Sequence, residues 1–149
     1  MRVAIIGLGL IGGSMGLALK EAGAEVVGYA RRPEVASSAV GRGAVDRCGN
    51  DLTSTIKGAE IVVVATPVLS VKDVFIDIAP HLRKGVIVTD VASTKADVLR
   101  WAGEYLPAEA CFIGGHPMAG KEASGIAASD VNLFRGCTYC LIPGGHVKV

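Results

Sequence analysis

Residues 2–14 read RVAIIGLGLIGGS, and this stretch decides the fold. The apolar run Val3-Ala4-Ile5-Ile6 has the length and continuity of a strand buried on both faces. The next six residues, Gly7-Leu8-Gly9-Leu10-Ile11-Gly12, match G-x-G-x-x-G. Alone that pattern is weak. Directly after a strand, and opening a helix, it is the phosphate-binding turn of a βαβ unit. Gly7 permits the tight turn, Gly9 lets the backbone approach a pyrophosphate, and Gly12 lets the helix pack closely on the strand. The free N–H groups and dipole of that helix favour an anion. Gly13 and Ser14 continue the small-residue surface.

Outward from this turn the same grammar repeats. Ile61-Val62-Val63-Val64-Ala65 and Val86-Ile87-Val88 are further short apolar runs, and helix-like stretches lie between them. The spacing predicts strands at 2–6, 25–29, near 44–46, and at 60–65, 86–90, 111–114 and 138–142. Helices are predicted at about 11–22, from Pro33, near 52–57, at about 70–82 and at about 95–105. In the first helix, Ile11, Met15, Ala18, Leu19 and Ala22 recur at three- and four-residue spacing and are expected to face the sheet. The fold class is therefore α/β: a Rossmann-type, doubly wound, mainly parallel sheet with helices on both faces, forming one NAD(P)-binding domain over residues 1–149.

Composition agrees. Half of the 149 residues are apolar and 19% are charged, enough for one buried core. No run approaches the ~18 apolar residues of a membrane span, and the initial apolar run stops at Gly7, unlike a secretory leader. The net charge of +1, with no basic stripe or acidic block, argues against nucleic acid and membrane partners. Four cysteines (Cys48, Cys111, Cys137 and Cys140) without such a leader read as reduced thiols in a cytoplasm. Cys137 and Cys140 have metal-like spacing but lack a second ligand pair, so no metal is expected. His81 reads as a solvated helix end, His146 as a tail residue, and Trp101 as packing a helix onto the sheet.

An NAD-specific site usually carries an acid at the end of its second strand, bonded to the ribose hydroxyls. Here Ala30 holds that position and Arg31 and Arg32 follow. A guanidinium binds a 2′-phosphate bidentately where a carboxylate would repel it. The expected cofactor is NADP, with NAD the alternative. Ala65, Thr66 and Pro67, and Val91 after the fifth strand, are expected to line the ribose and nicotinamide.

Three polar features fall at later strand ends: Asp90-Val-Ala-Ser93-Thr-Lys95, then Gly114-Gly-His116-Pro-Met-Ala-Gly120, then Lys121-Glu122. A histidine held between Gly115 and Pro117 reads as fixed in a rigid loop. Imidazole, with an unperturbed pKa near ~6.5, can take a proton at neutral pH. Lys95 and Lys121 read either as surface lysines or as attractors of substrate carboxylates.

With these motifs in order, and with Leu133-Phe134 and Tyr139-Cys140-Leu141-Ile142-Pro143 behind them, the sequence resembles the prephenate/arogenate dehydrogenases of tyrosine biosynthesis. The GHPMAG signature is the most specific part. The resemblance implies an oxidoreductase that oxidatively decarboxylates a cyclohexadienol, either prephenate or arogenate. It implies that His116 accepts the ring hydroxyl proton, that Ser93 bonds the same hydroxyl or the histidine, and that Glu122 helps gate the pocket. Members of the family continue into a helical domain that forms a homodimer and binds the substrate side chain; nothing in these 149 residues corresponds to it. The chain alone is then expected to bind NADP(H) and to turn over slowly or not at all. Two further readings stand beside this one: an NADP-binding or regulatory module without turnover, and the cofactor domain of a β-hydroxyacid dehydrogenase.

Overall fold

The computed structural model describes residues 1–144. His146, read from the sequence as a tail residue, lies outside them. The chain runs β1 (Arg2–Ile6), α1 (Leu10–Glu21), β2 (Glu25–Tyr29), α2 (Pro33–Gly41), β3 (Arg47–Cys48), α3 (Leu52–Ile56) and β4 (Ile61–Val64). It continues through α4 (Val68–Ile78), a 3₁₀ turn at Ala79–His81, β5 (Ile87–Asp90), α5 (Ala96–Tyr105), β6 (Cys111–Pro117) and β7 (Tyr139–Pro143). The strands form one sheet in the order β3-β2-β1-β4-β5-β6-β7. All neighbours are parallel except β6 and β7. This is the doubly wound Rossmann topology, with its reversal point between β1 and β4.

The apolar runs alternate between two cores. Ala4, Ile6, Val62, Val64 and Val88 turn to the layer built by α3, α4 and α5, with Phe75 and Phe112 meeting edge-to-face at 5.5 Å. Val3, Ile5, Val26 and Val63 turn to the other, which carries α1 and α2. A strand with both faces covered needs apolar side chains at every position, hence the unbroken runs.

The expected face of α1 is met in part, since Met15 and Leu19 pack against the core on this side, but its most deeply buried positions are different ones. Its buried residues are Gly12, Gly13, Ser14 and Gly16, whereas Ala22 is exposed. A Cβ on Gly12 would stand 1.9 Å from the Gly7 carbonyl oxygen, and one on Gly16 would stand 2.1 Å from that of Ala44. This helix is seated by the absence of side chains, and apolar periodicity marks only its flanks. Five strand boundaries also differ, the fourth and fifth only by terminal residues (Ile61–Val64 and Ile87–Asp90). The third strand is Arg47–Cys48 instead of 44–46, because Ala44 and Val45 are spent in the core ahead of a two-residue edge pairing. The sixth continues through Pro117, and the seventh begins at Tyr139, because each pairs with the other. No described helix is long and apolar enough to cross a membrane.

Two alanine substitutions test this seating. Gly12→Ala should destabilise the fold by about 3 kcal/mol or more, since its methyl collides with rigid backbone. Gly103→Ala, in α5 with nothing within 4 Å of a new Cβ, should stabilise it by about 0.5–1 kcal/mol. Chemical denaturation of both variants measures the contrast.

Candidate active site

A cleft of about 680 Å³ opens at the carboxyl ends of β1, β2 and β4, beside the reversal point. Gly7, Leu8 and Gly9 line it. Gly7 has φ +100°, and a Cβ there would meet the Ala65 carbonyl oxygen at 2.6 Å. A Cβ on Gly9 would meet nothing within 4 Å, so backbone alone faces the cleft at that point. The first turn of α1 contains no acidic residue and receives no side-chain cap, which leaves its N–H groups for an anion. Ala30, Arg31 and Arg32 line the cleft beyond β2, and Ala65, Thr66 and Pro67 line it beyond β4. The Thr66 hydroxyl is buried without a hydrogen-bond partner, a group that a ligand in the cleft would satisfy. The residues present therefore fit a dinucleotide.

The other expected cofactor residues are set back from the cleft lining. Leu10, Ile11 and Gly12 form the first turn of α1, and Val91 packs into the core on the α1 side; none of the four lines the cleft. Tyr29, Val35, Leu52, Asp73, Asp77 and Ile126 line it without having been foreseen. Asp73 and Asp77 are four apart on α4, a spacing visible in the sequence that points to nothing until the helix is placed. Ile126 comes from a segment far along the chain.

His116 is not in a loop. It lies in β6, opposite Cys140 of β7, and the Met118 N–H continues the pairing by donating to the Thr138 carbonyl at 2.9 Å. Its ring is half-buried. Ser93 is exposed in the segment after β5, the neighbouring strand, and Glu122 is exposed beyond β6. Neither lysine is free to serve as a simple surface charge. Lys95 pairs with the buried Asp90, and Lys121 bonds Asp130 at 2.8 Å. The Lys121 ammonium, with the Asn132 N–H, holds the Asp130 carboxyl below its ordinary value. Cys137 precedes β7 and Cys140 lies within it; both are free thiols.

Beyond Glu122 the chain returns to the cofactor side. Ile126 is buried against Gly13, where a Cβ would stand 2.5 Å from its Cδ1. Arg42 donates from Nε to the Ser129 hydroxyl and from Nη2 to the Ser129 carbonyl, both at 3.1 Å. The Asp130 N–H donates to the Ser14 hydroxyl at 2.9 Å. The segment that carries Glu122 is thus latched onto the helix of the glycine turn.

This arrangement matches one family of known proteins. The model described as prephenate dehydrogenase, nucleotide-binding domain, matches residues 15–148. The chain belongs to that family. It is 38% identical to the prephenate dehydrogenase of Bacillus subtilis over 145 residues, which are 95% of this chain and 39% of that protein. Among solved structures, Synechocystis arogenate dehydrogenase superposes with a TM-score of 0.92 at 36% identity, covering 98% of this chain and 51% of that one. Prephenate dehydrogenase from A. aeolicus, in complex with hydroxyphenyl propionate and NAD+, superposes with a TM-score of 0.90 at 29% identity, over 99% of this chain and 52% of that one. The chain spans about half or less of the length of these relatives. As a member of the prephenate dehydrogenase nucleotide-binding family, it carries the glycine turn just ahead of the matched region.

In this family member the latch is testable. Ser14→Ala strips the Asp130 N–H of its acceptor beneath a buried surface. It should cost about 1–2 kcal/mol and accelerate amide exchange across residues 125–132, read by hydrogen–deuterium exchange. Because the Asp130 carboxyl is depressed, its support of the latch is present above the ordinary carboxylate range and fades as pH falls through the lowered value.

Proposed function

We propose that these residues are the dinucleotide-binding half of a prephenate or arogenate dehydrogenase, an NAD(P)-dependent oxidoreductase. The observation that carries the reading is the placement of His116 and Ser93 at adjacent strand ends of the rim that also holds the cleft. Gly7 to Gly12 and the α1 N-terminus would hold the pyrophosphate, and Thr66 would bond the ribose or nicotinamide end. A bound nicotinamide supplies the hydride acceptor.

The chain's own residues would do the rest. His116 takes the proton of the ring hydroxyl, which makes hydride loss from the same carbon easier. Ser93 bonds that hydroxyl or fixes the imidazole tautomer. Glu122, on the latched segment, guards entry. The substrate's ring carboxylate then leaves as carbon dioxide and the ring becomes aromatic. The remainder of the substrate pocket, and a dimer interface, would come from sequence that the longer relatives possess.

NADP is the expected partner, with NAD the weaker one. Arg31 and Arg32 line the cleft where an NAD site would present an acid, and the contact of Arg32 with Glu34, at 3.8 Å between exposed groups, does not neutralise both. Fluorescence titration should give NADPH a Kd at least about tenfold below that of NADH, and Arg31→Ala/Arg32→Ala should erase the difference. Tighter NADH binding would sink the NADP assignment. In an active full-length form, His116→Asn should lower kcat by about 10²–10⁴-fold with dinucleotide affinity unchanged. Binding without turnover, indifferent to that substitution, would instead indicate a nucleotide-binding module.

A further inference from the structure

Asp90 ends β5 with its side chain fully buried, the one ionisable group so placed among the described residues. Its carboxylate receives three donors. The Lys95 ammonium and the Ala92 N–H, at 2.9 Å, bond Oδ2, and the Gly115 N–H bonds Oδ1 at 3.2 Å. Two of these donors flank Ser93 in sequence, and the third immediately precedes His116. The backbone ladder between β5 and β6 stops at Thr89 and Ile113. Beyond that point the Asp90 side chain carries on the connection.

The glycines of GGHP make room for it. A Cβ on Gly115 would stand 2.5 Å from the Asp90 carbonyl oxygen and 3.1 Å from the Tyr139 hydroxyl. A Cβ on Gly114 would meet Lys95 Cδ at 3.2 Å. Residues two apart on a strand share a face, so the Lys95 stem crosses β6 on the side from which His116 projects. The titratable groups on this side of the sheet are therefore Asp90 at the end of β5, Lys95 from the segment after it, and Cys140 opposite His116 on β7, while Tyr139, paired with Pro117 and reaching Gly115, lies on the other face. On its own segment Lys121 is occupied by Asp130 and Glu122 is exposed. Burial, and then the charge of Asp90, raise the Tyr139 hydroxyl above its ordinary value.

We propose that Asp90 is a positioning residue for His116: its carboxylate ties the His116 backbone to the Ser93 segment and, paired with Lys95, keeps the charge beside the imidazole balanced. The functional meaning rests on His116 being the proton acceptor, but the coupling itself is measurable without turnover. Removing the charge of Asp90 leaves an unbalanced ammonium and disfavours imidazolium. Removing the charge of Lys95 leaves the carboxylate with its two N–H donors and no balancing cation, and favours imidazolium.

The test is an NMR titration of His116, assigned by its loss in His116→Asn, in the 149-residue protein and in Asp90→Asn, Lys95→Met and the double variant. The His116 pKa should fall by about one pH unit in Asp90→Asn, rise by about as much in Lys95→Met, and lie within ~0.3 of wild type in the double variant. A purely structural role for Asp90 would not produce opposite signs. Shifts of the same sign, or both single variants within ~0.3 of wild type, overturn the proposal. NADPH binding reports whether each variant is folded, and if Asp90→Asn is not, a rise in Lys95→Met that the double variant cancels decides the matter. Turnover that survives His116→Asn in a full-length form defeats the proton-acceptor reading and leaves the titration result standing. A flat titration with His116 essential defeats this inference alone.

Discussion

No side chain fits between α1 and the turn that launches it. Gly12 sits where a methyl group would be 1.9 Å from the Gly7 carbonyl, so the helix starts almost in contact with the end of β1. Most of the site follows from that approach. It aims the uncapped N–H groups of α1 into the cleft. It also presents a bare helix face to which other parts attach: Gly13 receives Ile126, Ser14 accepts from Asp130, and Gly16 lies against Ala44. A helix dressed in leucines would have packed on the sheet as well, but it would have excluded both the phosphate and the latch.

Electrostatics divides between two regimes. The ion pairs of Arg100 with Asp97 and Glu104, or of Arg135 with Glu21, join exposed groups; such pairs contribute little and are screened by salt. Asp90 and Lys95 are enclosed. An enclosed pair is a poor source of net stability, because desolvation offsets most of the attraction. It is a strong source of geometry, because neither partner has another place to go. The surface pairs decorate this fold, while the enclosed pair fixes where two strand ends stand relative to each other.

The parallel core was legible because Val3–Ile6, Ile61–Ala65 and Val86–Val88 are unbroken apolar runs, and the glycine turn because its spacing reports a local backbone shape. The cleft-lining positions Ala30 to Arg32 and Ala65 to Pro67 followed from strand ends alone. What escaped the sequence depended on partners distant along the chain. His116 reads as a loop residue while Gly114, Gly115 and Pro117 are judged locally, and becomes a strand residue only once Tyr139–Pro143 lies antiparallel beside it. Lys95 reads as solvated until the burial of Asp90 is known. The face of α1 was legible only at Met15 and Leu19, because periodicity counts apolar side chains and has no symbol for a contact made by their absence.

The latch joins Ser14 to Asp130 and Arg42 to Ser129, contacts 116 and 87 residues apart in sequence. Closing so long a loop costs chain entropy before either contact returns anything, and topologies dominated by such contacts fold slowly. The βαβ units at the start of the chain have no need to wait for them. The contacts that seat the segment bearing Glu122 are thus of the long-range kind, whose cost in chain entropy the local βαβ pairings do not share. One wall of the cleft, at Gly125 and Ile126, is therefore held by contacts made far along the chain, and the opposite wall by pairings made close at hand.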